Sequence, residues 1–126
     1  MNGGDTPHLP HAATIDAYGN GGFRFADMSH RGSLLCLPDS VFAWAVTTPG
    51  EIDQRSLQRV FERADRIDTL LIGSGRTVWL APEGLRSALR AVAVTLDVMQ
   101  TGPAIRTYNV MMGERRRVAA ALIAVP

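Results

Sequence analysis

The chain of 126 residues contains no lysine and only one cysteine, Cys36. The absence of lysine excludes a P-loop, whose lysine contacts the nucleotide phosphates. A single cysteine excludes an internal disulfide and favours a reducing, cytoplasmic setting. Cys36 lies in an apolar run, residues 34–37, with no basic residue beside it. We therefore expect its thiol to be buried and unreactive.

The charge balance and the lack of long apolar runs exclude two further classes of protein. Thirteen basic residues, all arginine, face 12 acidic ones, for a net charge of +1. That balance provides no strong field to attract nucleic acid. The longest apolar run, residues 118–125, is the length of a strand and far below the ~20 residues that span a bilayer. We expect no nucleic-acid partner and no membrane insertion.

The length and composition are those of one globular domain. Hydrophobic residues make up 46% of the chain and charged residues 20%, which suffices for a core without metal or disulfide. Residues 1–13 are rich in glycine, proline and histidine and have no apolar segment typical of a secretory signal. The sequence therefore predicts a disordered tail over 1–13 and a single domain over 14–126.

The first half of the chain predicts antiparallel strands. Residues 14–18 and 23–25 flank Asn20-Gly21, a pair typical of the tight turn in a hairpin. The apolar runs 33–37 and 41–46 predict two more strands. These strands are expected to add an antiparallel part to the sheet.

The second half predicts alternating strands and helices. Apolar spacing at Leu57, Val60, Phe61 and Ala64 indicates a helix face, with Asp53 as its N-cap. Further helices are expected from Pro82 and over 103–112. Apolar strands are expected at 69–72, 94–99 and 118–125. This order predicts an α/β fold with a largely parallel sheet and helices packed on it.

A candidate ligand site lies where two of the expected strands end. A glycine-rich loop follows the first strand, and the third helix begins directly after the next. Because the carboxyl ends of parallel strands meet at one edge, the loop, the helix N-terminus and Arg106 are expected to converge there on a small anion. The residues of this hypothetical site are Gly73, Ser74, Gly75, Arg76, Thr101, Arg106 and Asn109.

The same residues have a structural explanation that stays open beside the functional one. Glycines after a strand also serve tight turns and close packing. Arg106 and Asn109 are polar residues in an otherwise apolar helix, and a buried arginine needs a partner. They would then hold backbone carbonyls or a carboxylate such as that of Asp97.

Another candidate surface is a stripe of arginines. Arg55, Arg59 and Arg63 recur every four residues on one face of the first expected helix. Such a stripe is either a solvated face or a docking surface for an acidic protein partner. Neither a nucleophile beside a base nor a group of metal ligands stands out, so the sequence predicts no catalytic residue, metal or cofactor.

Several short segments in a fixed order resemble a known family. They are 18–24, 32–35, 70–75, 85–86, 98–99, 104–110 with its Arg-Thr-Tyr-Asn core, and 114–123. In order and spacing they resemble the domain of unknown function 498 family, which includes the mitochondrial respiratory complex I assembly factor 3. The resemblance implies a three-layer α/β fold around a mixed sheet. It also implies bacterial members without an established reaction and relatives that act by protein–protein contact.

The sequence and the resemblance together give two hypotheses. The first is a non-catalytic interaction or assembly factor, bacterial because the chain lacks the arginine-rich targeting segment of the mitochondrial member. Its partner is a protein, and the factor itself is a monomer or a homodimer. The alternative is an anion-binding protein or enzyme with its site at the carboxyl edge of the sheet.

Overall fold

The computed structural model describes residues 8–126, which form two β-sheets and three α-helices. The strands are β1 (Ala17–Gly19), β2 (Gly22–Phe25), β3 (Met28–Arg31), β4 (Ser33–Leu37), β5 (Ser40–Trp44), β6 (Thr69–Gly73), β7 (Thr95–Met99) and β8 (Val118–Leu122). The helices are α1 (Gln58–Glu62), α2 (Glu83–Ala91) and α3 (Thr101–Gly113). None of the helices in residues 8–126 is long and apolar enough to cross a membrane.

The central sheet has five strands in the order β5-β4-β8-β6-β7. Strands β7, β6 and β8 are parallel to one another, and β4 and β5 complete the sheet with antiparallel pairing. The parallel strands are linked by α2 and α3, as their alternation in the sequence requires. The predicted α/β fold with a mixed central sheet is therefore confirmed.

Helices cover both faces of this sheet and give the fold its three layers. One core packs Leu57, the residue that precedes α1, and Leu89 of α2 against Leu70 of β6. The other core packs Tyr108 of α3 against Leu71 of β6 and includes side chains of the smaller sheet. Because β6 is apolar on both faces, it contributes to both cores.

The smaller sheet contains the predicted hairpin and one strand that the sequence did not reveal. Asn20 and Gly21 both have positive φ angles, 52° and 80°, as the predicted tight turn requires. Strand β3 was missed because its residues are mostly polar and its turn lacks a glycine or proline. Ala26 and Asp27 adopt the left-handed conformation there, with φ angles of 50° and 60°.

The first helix is shorter than predicted. Asp53 does not cap it, because α1 begins only at Gln58. The Asp53 carboxylate accepts a hydrogen bond from the Ser56 backbone N–H at 2.8 Å, and the Ser56 hydroxyl accepts one from the Asp53 N–H at 3.0 Å. This reciprocal pair closes a turn ahead of the helix, which explains why Asp53 matched the capping pattern.

The predicted disordered tail lies partly on residues 1–7, outside the described residues. Within residues 8–13, Leu9 is buried and forms an antiparallel bridge with Val41 of β5. The Val41 N–H donates to the Leu9 carbonyl at 2.9 Å, and the His8 N–H donates to the Val41 carbonyl at 2.8 Å. This segment therefore pairs with the outer edge of β5 at Val41 and buries the Leu9 side chain there.

The single cysteine lies in the interior, as expected. Cys36 in β4 is fully buried, and this burial raises the pKa of its thiol to about 12. The thiolate, which is the nucleophilic form, is therefore disfavoured.

Candidate functional site

The two loops of the predicted ligand site lie at the same edge of the sheet. The Ser74 N–H donates to the Met99 carbonyl at 2.8 Å, which joins the ends of β6 and β7. The Thr101 N–H donates to the Gly75 carbonyl at 3.0 Å, and the Gly75 N–H donates to Oγ1 of Thr101 at 2.9 Å. The geometry thus brings the loop and the helix start together.

The polar groups of these loops bond mainly to one another. The buried hydroxyl of Thr101 also donates to the Ile123 carbonyl at 2.7 Å. The buried hydroxyl of Ser74 donates to the Thr77 carbonyl at 2.7 Å. A Cβ on Gly73 would lie 2.9 Å from Cα of Thr101, so the glycine permits this close approach. These contacts form a junction between β6, β8 and α3.

The two arginines of the predicted site line a shallow pocket of about 300 Å³ beside this junction, together with Tyr18 and Gly102. Arg76 donates to the carbonyl of Pro126 at 3.1 Å. The structural explanation of Arg106, a buried side chain bonded to backbone carbonyls or a carboxylate, does not hold. The Arg106 side chain is exposed because α3 turns the neighbouring Ile105 toward the core instead. Within residues 8–126 its guanidinium forms neither a hydrogen bond nor an ion pair.

Asn109 holds the segment that precedes the hairpin. Its Oδ1 accepts a hydrogen bond from the Ile15 N–H at 2.9 Å, and its Nδ2 donates to the Ile15 carbonyl at 2.8 Å. At the preceding residue of α3, the buried Tyr108 hydroxyl donates to the Ala13 carbonyl at 3.2 Å. Asn109 therefore binds backbone, as its structural explanation proposed, and lies apart from the junction.

The arginine stripe is largely used within the fold. The Arg63 guanidinium forms an ion pair with Asp39 at 2.8 Å, and that of Arg59 lies 3.8 Å from the centre of the Phe42 ring. Partial burial raises the pKa of Asp39, but hydrogen bonds from Arg63 and Ser40 bring it below its ordinary value. Arg55 is exposed in the turn before α1. The docking role of these arginines stays a prediction.

Strand β7 forms an open edge of the central sheet, which the sequence analysis did not identify. The Thr95 N–H donates to the Asp68 carbonyl, and the Met99 carbonyl accepts from Ser74, so both residues direct their backbone toward β6. Because backbone direction alternates along a strand, the N–H and C=O groups of Leu96 and Val98 point to the open side. Unpaired edges of this kind are templates for another strand.

A groove lies on each side of the open β7 edge. The groove next to α2 has a volume of about 610 Å³ and is lined by Trp79, Leu80, Arg86, Arg90 and the side chains of Leu96 and Val98. The groove next to α3 has a volume of about 640 Å³ and is lined by Asp97, Arg106, Val110, Glu114 and Arg116, among others. Alternate side chains of an added strand would enter the two grooves.

One signal in the sequence could have revealed this edge. Strands β6 and β8 read as continuous apolar runs, which is typical of strands buried on both faces. In β7, Thr95 and Asp97 alternate with Leu96 and Val98, and the two polar side chains are exposed. Such alternation indicates a strand with one solvated face at the margin of a sheet.

The family model described as protein of unknown function (DUF498/DUF598) matches residues 15–123 of this chain. The chain belongs to this family. An uncharacterised protein of Rhodobacter capsulatus is 38% identical over 95% of the chain and 91% of its own length. The NADH dehydrogenase (ubiquinone) 1 alpha subcomplex assembly factor 3 of mouse is 31% identical over 94% of the chain. That alignment spans only 64% of the mouse protein.

Solved structures of similar proteins share the fold. A protein of Bartonella henselae, described as an outer membrane protein, is 50% identical, with a TM-score of 0.91 over 94% of this chain and 100% of its own. A Rhodopseudomonas palustris protein is 68% identical, with a TM-score of 0.84 over 96% and 90% of the two chains. A Bordetella pertussis protein described as a Mth938-like domain is 27% identical, with a TM-score of 0.79 over 89% and 85%.

Proposed function

We propose that this chain is a non-catalytic interaction domain of the assembly-factor type, which receives an extended segment of a protein partner along β7. Its similarity to assembly factor 3 supports a role in protein assembly. The observation that carries the proposal is the open β7 edge. The opposite margin of the sheet, at β5, is instead partly occupied, by the bridge between Leu9 and Val41.

The edge offers both affinity and selectivity to such a segment. Each of Leu96 and Val98 presents one backbone donor and one acceptor, so an added strand forms main-chain hydrogen bonds that are independent of its sequence. The two flanking grooves then select the side chains that alternate along the segment.

Val98→Pro is expected to abolish partner binding while the chain stays folded. Proline removes the outward N–H of Val98, and proline is tolerated on an edge strand when that N–H faces solvent. The matched control is Val98→Ala, which loses similar packing but keeps the N–H. In the source cells, cross-linking with mass spectrometry should join partner peptides to β7 in the wild type and in Val98→Ala, and should lose them in Val98→Pro. Equal cross-linking in both variants would contradict the proposal.

A thermal-shift series distinguishes the proposed docking edge from the alternative, a small-anion site beside Arg106. We expect no rise in the melting temperature with phosphate or small carboxylates, because the N–H groups of Ser74 and Gly75 already have partners. A bound anion at one hundred times its Kd would add about 2.7 kcal/mol of stability. A rise that disappears in Arg106→Ala but persists in Arg86→Ala would instead favour the anion site.

The proposal includes a cytoplasmic setting. A chain with one cysteine forms no internal disulfide and suits a reducing compartment. Fractionation of the source cells, followed by detection of the chain in each fraction, tests this part. Recovery with the envelope alone would contradict it.

A further inference from the structure

We infer that the segment received at β7 is an acidic strand of another protein rather than a second copy of this chain. The inference rests on the proposed function and adds the chemistry of the partner. It follows from the charges and the apolar side chains that line the two grooves, and from the position of Asp97 at the middle of the edge.

The grooves carry an excess of positive charge although the whole chain is nearly neutral. Four arginines and two carboxylates line them, namely Arg86, Arg90, Arg106, Arg116, Asp97 and Glu114. Arg90 pairs with Glu83 at 3.0 Å, and Arg116 lies 3.7 Å from Glu114. Within residues 8–126, the guanidinium groups of Arg86 and Arg106 have no ion-pair or hydrogen-bond partner. One arginine without a partner therefore lies on each side of β7, where it can bind a carboxylate of the added strand.

The grooves also expose aliphatic side chains beside these arginines. Leu80 is 81% exposed next to α2, and Val110 is 61% exposed on α3. A single exposed aliphatic residue is ordinary, but these two flank the same unpaired strand. An occupant that fits both features has aliphatic or β-branched residues at its centre and carboxylates toward its ends.

A second copy of the chain is a poor occupant of the edge. Antiparallel pairing of two β7 strands centred on Asp97 places this carboxylate opposite its own copy, and like charges directly opposite are destabilising. Any two-fold pairing of the edges also brings two arginine-rich grooves together. A charge at the centre of an edge strand is a common device against self-association.

The test uses the whole chain and three synthetic peptides. The first is Glu-Glu-Val-Thr-Val-Thr-Glu-Glu with blocked ends, the second has lysine in place of each glutamate, and the third is Glu-Glu-Val-Pro-Val-Pro-Glu-Glu. Adjacent residues of a strand point to opposite faces, so each acidic pair presents one carboxylate to each groove. The proline peptide keeps the charge but cannot form a strand.

We expect the acidic peptide to bind about tenfold more tightly than the lysine peptide at low salt, and the difference to shrink as salt screens the charges. In NMR titrations the amide signals of Leu96 and Val98 should shift and exchange more slowly with solvent. The proline peptide should leave their exchange unchanged. Arg86→Glu with Arg106→Glu should reverse the preference, whereas the matched pair Arg24→Glu with Arg31→Glu, on the smaller sheet, should keep it.

The outcomes separate this inference from the proposed function. Equal or tighter binding of the lysine peptide at β7 would overturn the acidic preference and leave the docking edge intact. No change at Leu96 and Val98 with either strand-forming peptide would overturn both. Dimerisation of the wild type in sedimentation analysis, lost in Val98→Pro and kept in Val98→Ala, would identify a second copy as the occupant and overturn the inference.

Discussion

Gly73→Ala is expected to destabilise the chain by about 1–3 kcal/mol, the range typical of an overpacked interior. The new Cβ would lie 2.9 Å from Cα of Thr101 and 3.0 Å from Cδ2 of Leu122. One of these contacts is with backbone at the start of α3, so a rotamer change cannot relieve it. Gly73 lies at the end of β6, a strand that contributes side chains to both cores. A shift of α3 would therefore disturb the core that packs between α3 and the sheet.

The matched control is Gly84→Ala in α2. A Cβ at Gly84 meets nothing within 4 Å, and alanine is favoured over glycine in a helix by up to about 1 kcal/mol. The two substitutions add the same methyl group and should change the free energy of unfolding in opposite directions. Denaturant titration of both variants measures the difference. A Gly73→Ala variant as stable as the wild type would show that the junction tolerates a wider spacing.

Thr101→Val is expected to lower the free energy of unfolding by about 2–4 kcal/mol. The buried Thr101 hydroxyl accepts from the Gly75 N–H at 2.9 Å and donates to the Ile123 carbonyl at 2.7 Å. Valine has nearly the same shape but leaves these backbone groups without that partner, and each unsatisfied buried group costs about 1–3 kcal/mol. For a domain of this size the melting temperature should fall by on the order of 10 °C.

Thr101→Ser distinguishes the hydroxyl from the methyl group. Serine keeps both hydrogen bonds and loses one buried methyl, which is worth about 0.8 kcal/mol. We expect the serine variant to be clearly more stable than the valine variant in thermal unfolding. The reverse order would mean that packing at Thr101, rather than its hydrogen bonds, holds the start of α3 against the sheet.

These two predictions bear on the choice between the functional hypotheses. The glycine-rich loop and the helix N-terminus converge, as the order of strands and helices in the sequence predicted. The sequence could not show that Thr101 and Gly75 bond to each other, because their pairing depends on how closely α3 approaches β6. If both variants lose stability as expected, the junction has a structural role that accounts for its residues without a ligand.

The polar residues of α3 also show what the sequence alone cannot predict. Their spacing indicated that Arg106 and Asn109 were exceptional in an apolar helix. Only the packed structure separates them, because Asn109 meets the backbone of Ile15, 94 positions away, while Arg106 is exposed beside β7. The partner of a polar side chain is set by distant segments and cannot be obtained from local periodicity.

The sequence by itself determined the class of the fold. Continuous apolar runs at β4, β6 and β8 are stable only when covered on both faces, and the strand–helix alternation of the second half leads to parallel pairing. The tight turn at Asn20-Gly21 followed from the conformations these two residues permit. Each of these features depends on residues that are close together in the chain, so a local pattern was sufficient.

The alternation in β7 indicated a strand at the margin of the sheet, but the tertiary structure decided which edge stays open. Leu9 bridges to β5 at Val41, whereas nothing in residues 8–126 pairs with the outer side of β7. It also placed Arg86 and Arg106, 20 positions apart in the sequence, on opposite sides of that strand. Strand order and the positions of separate helices depend on contacts between residues that are far apart in the chain. Local sequence patterns therefore do not reveal them.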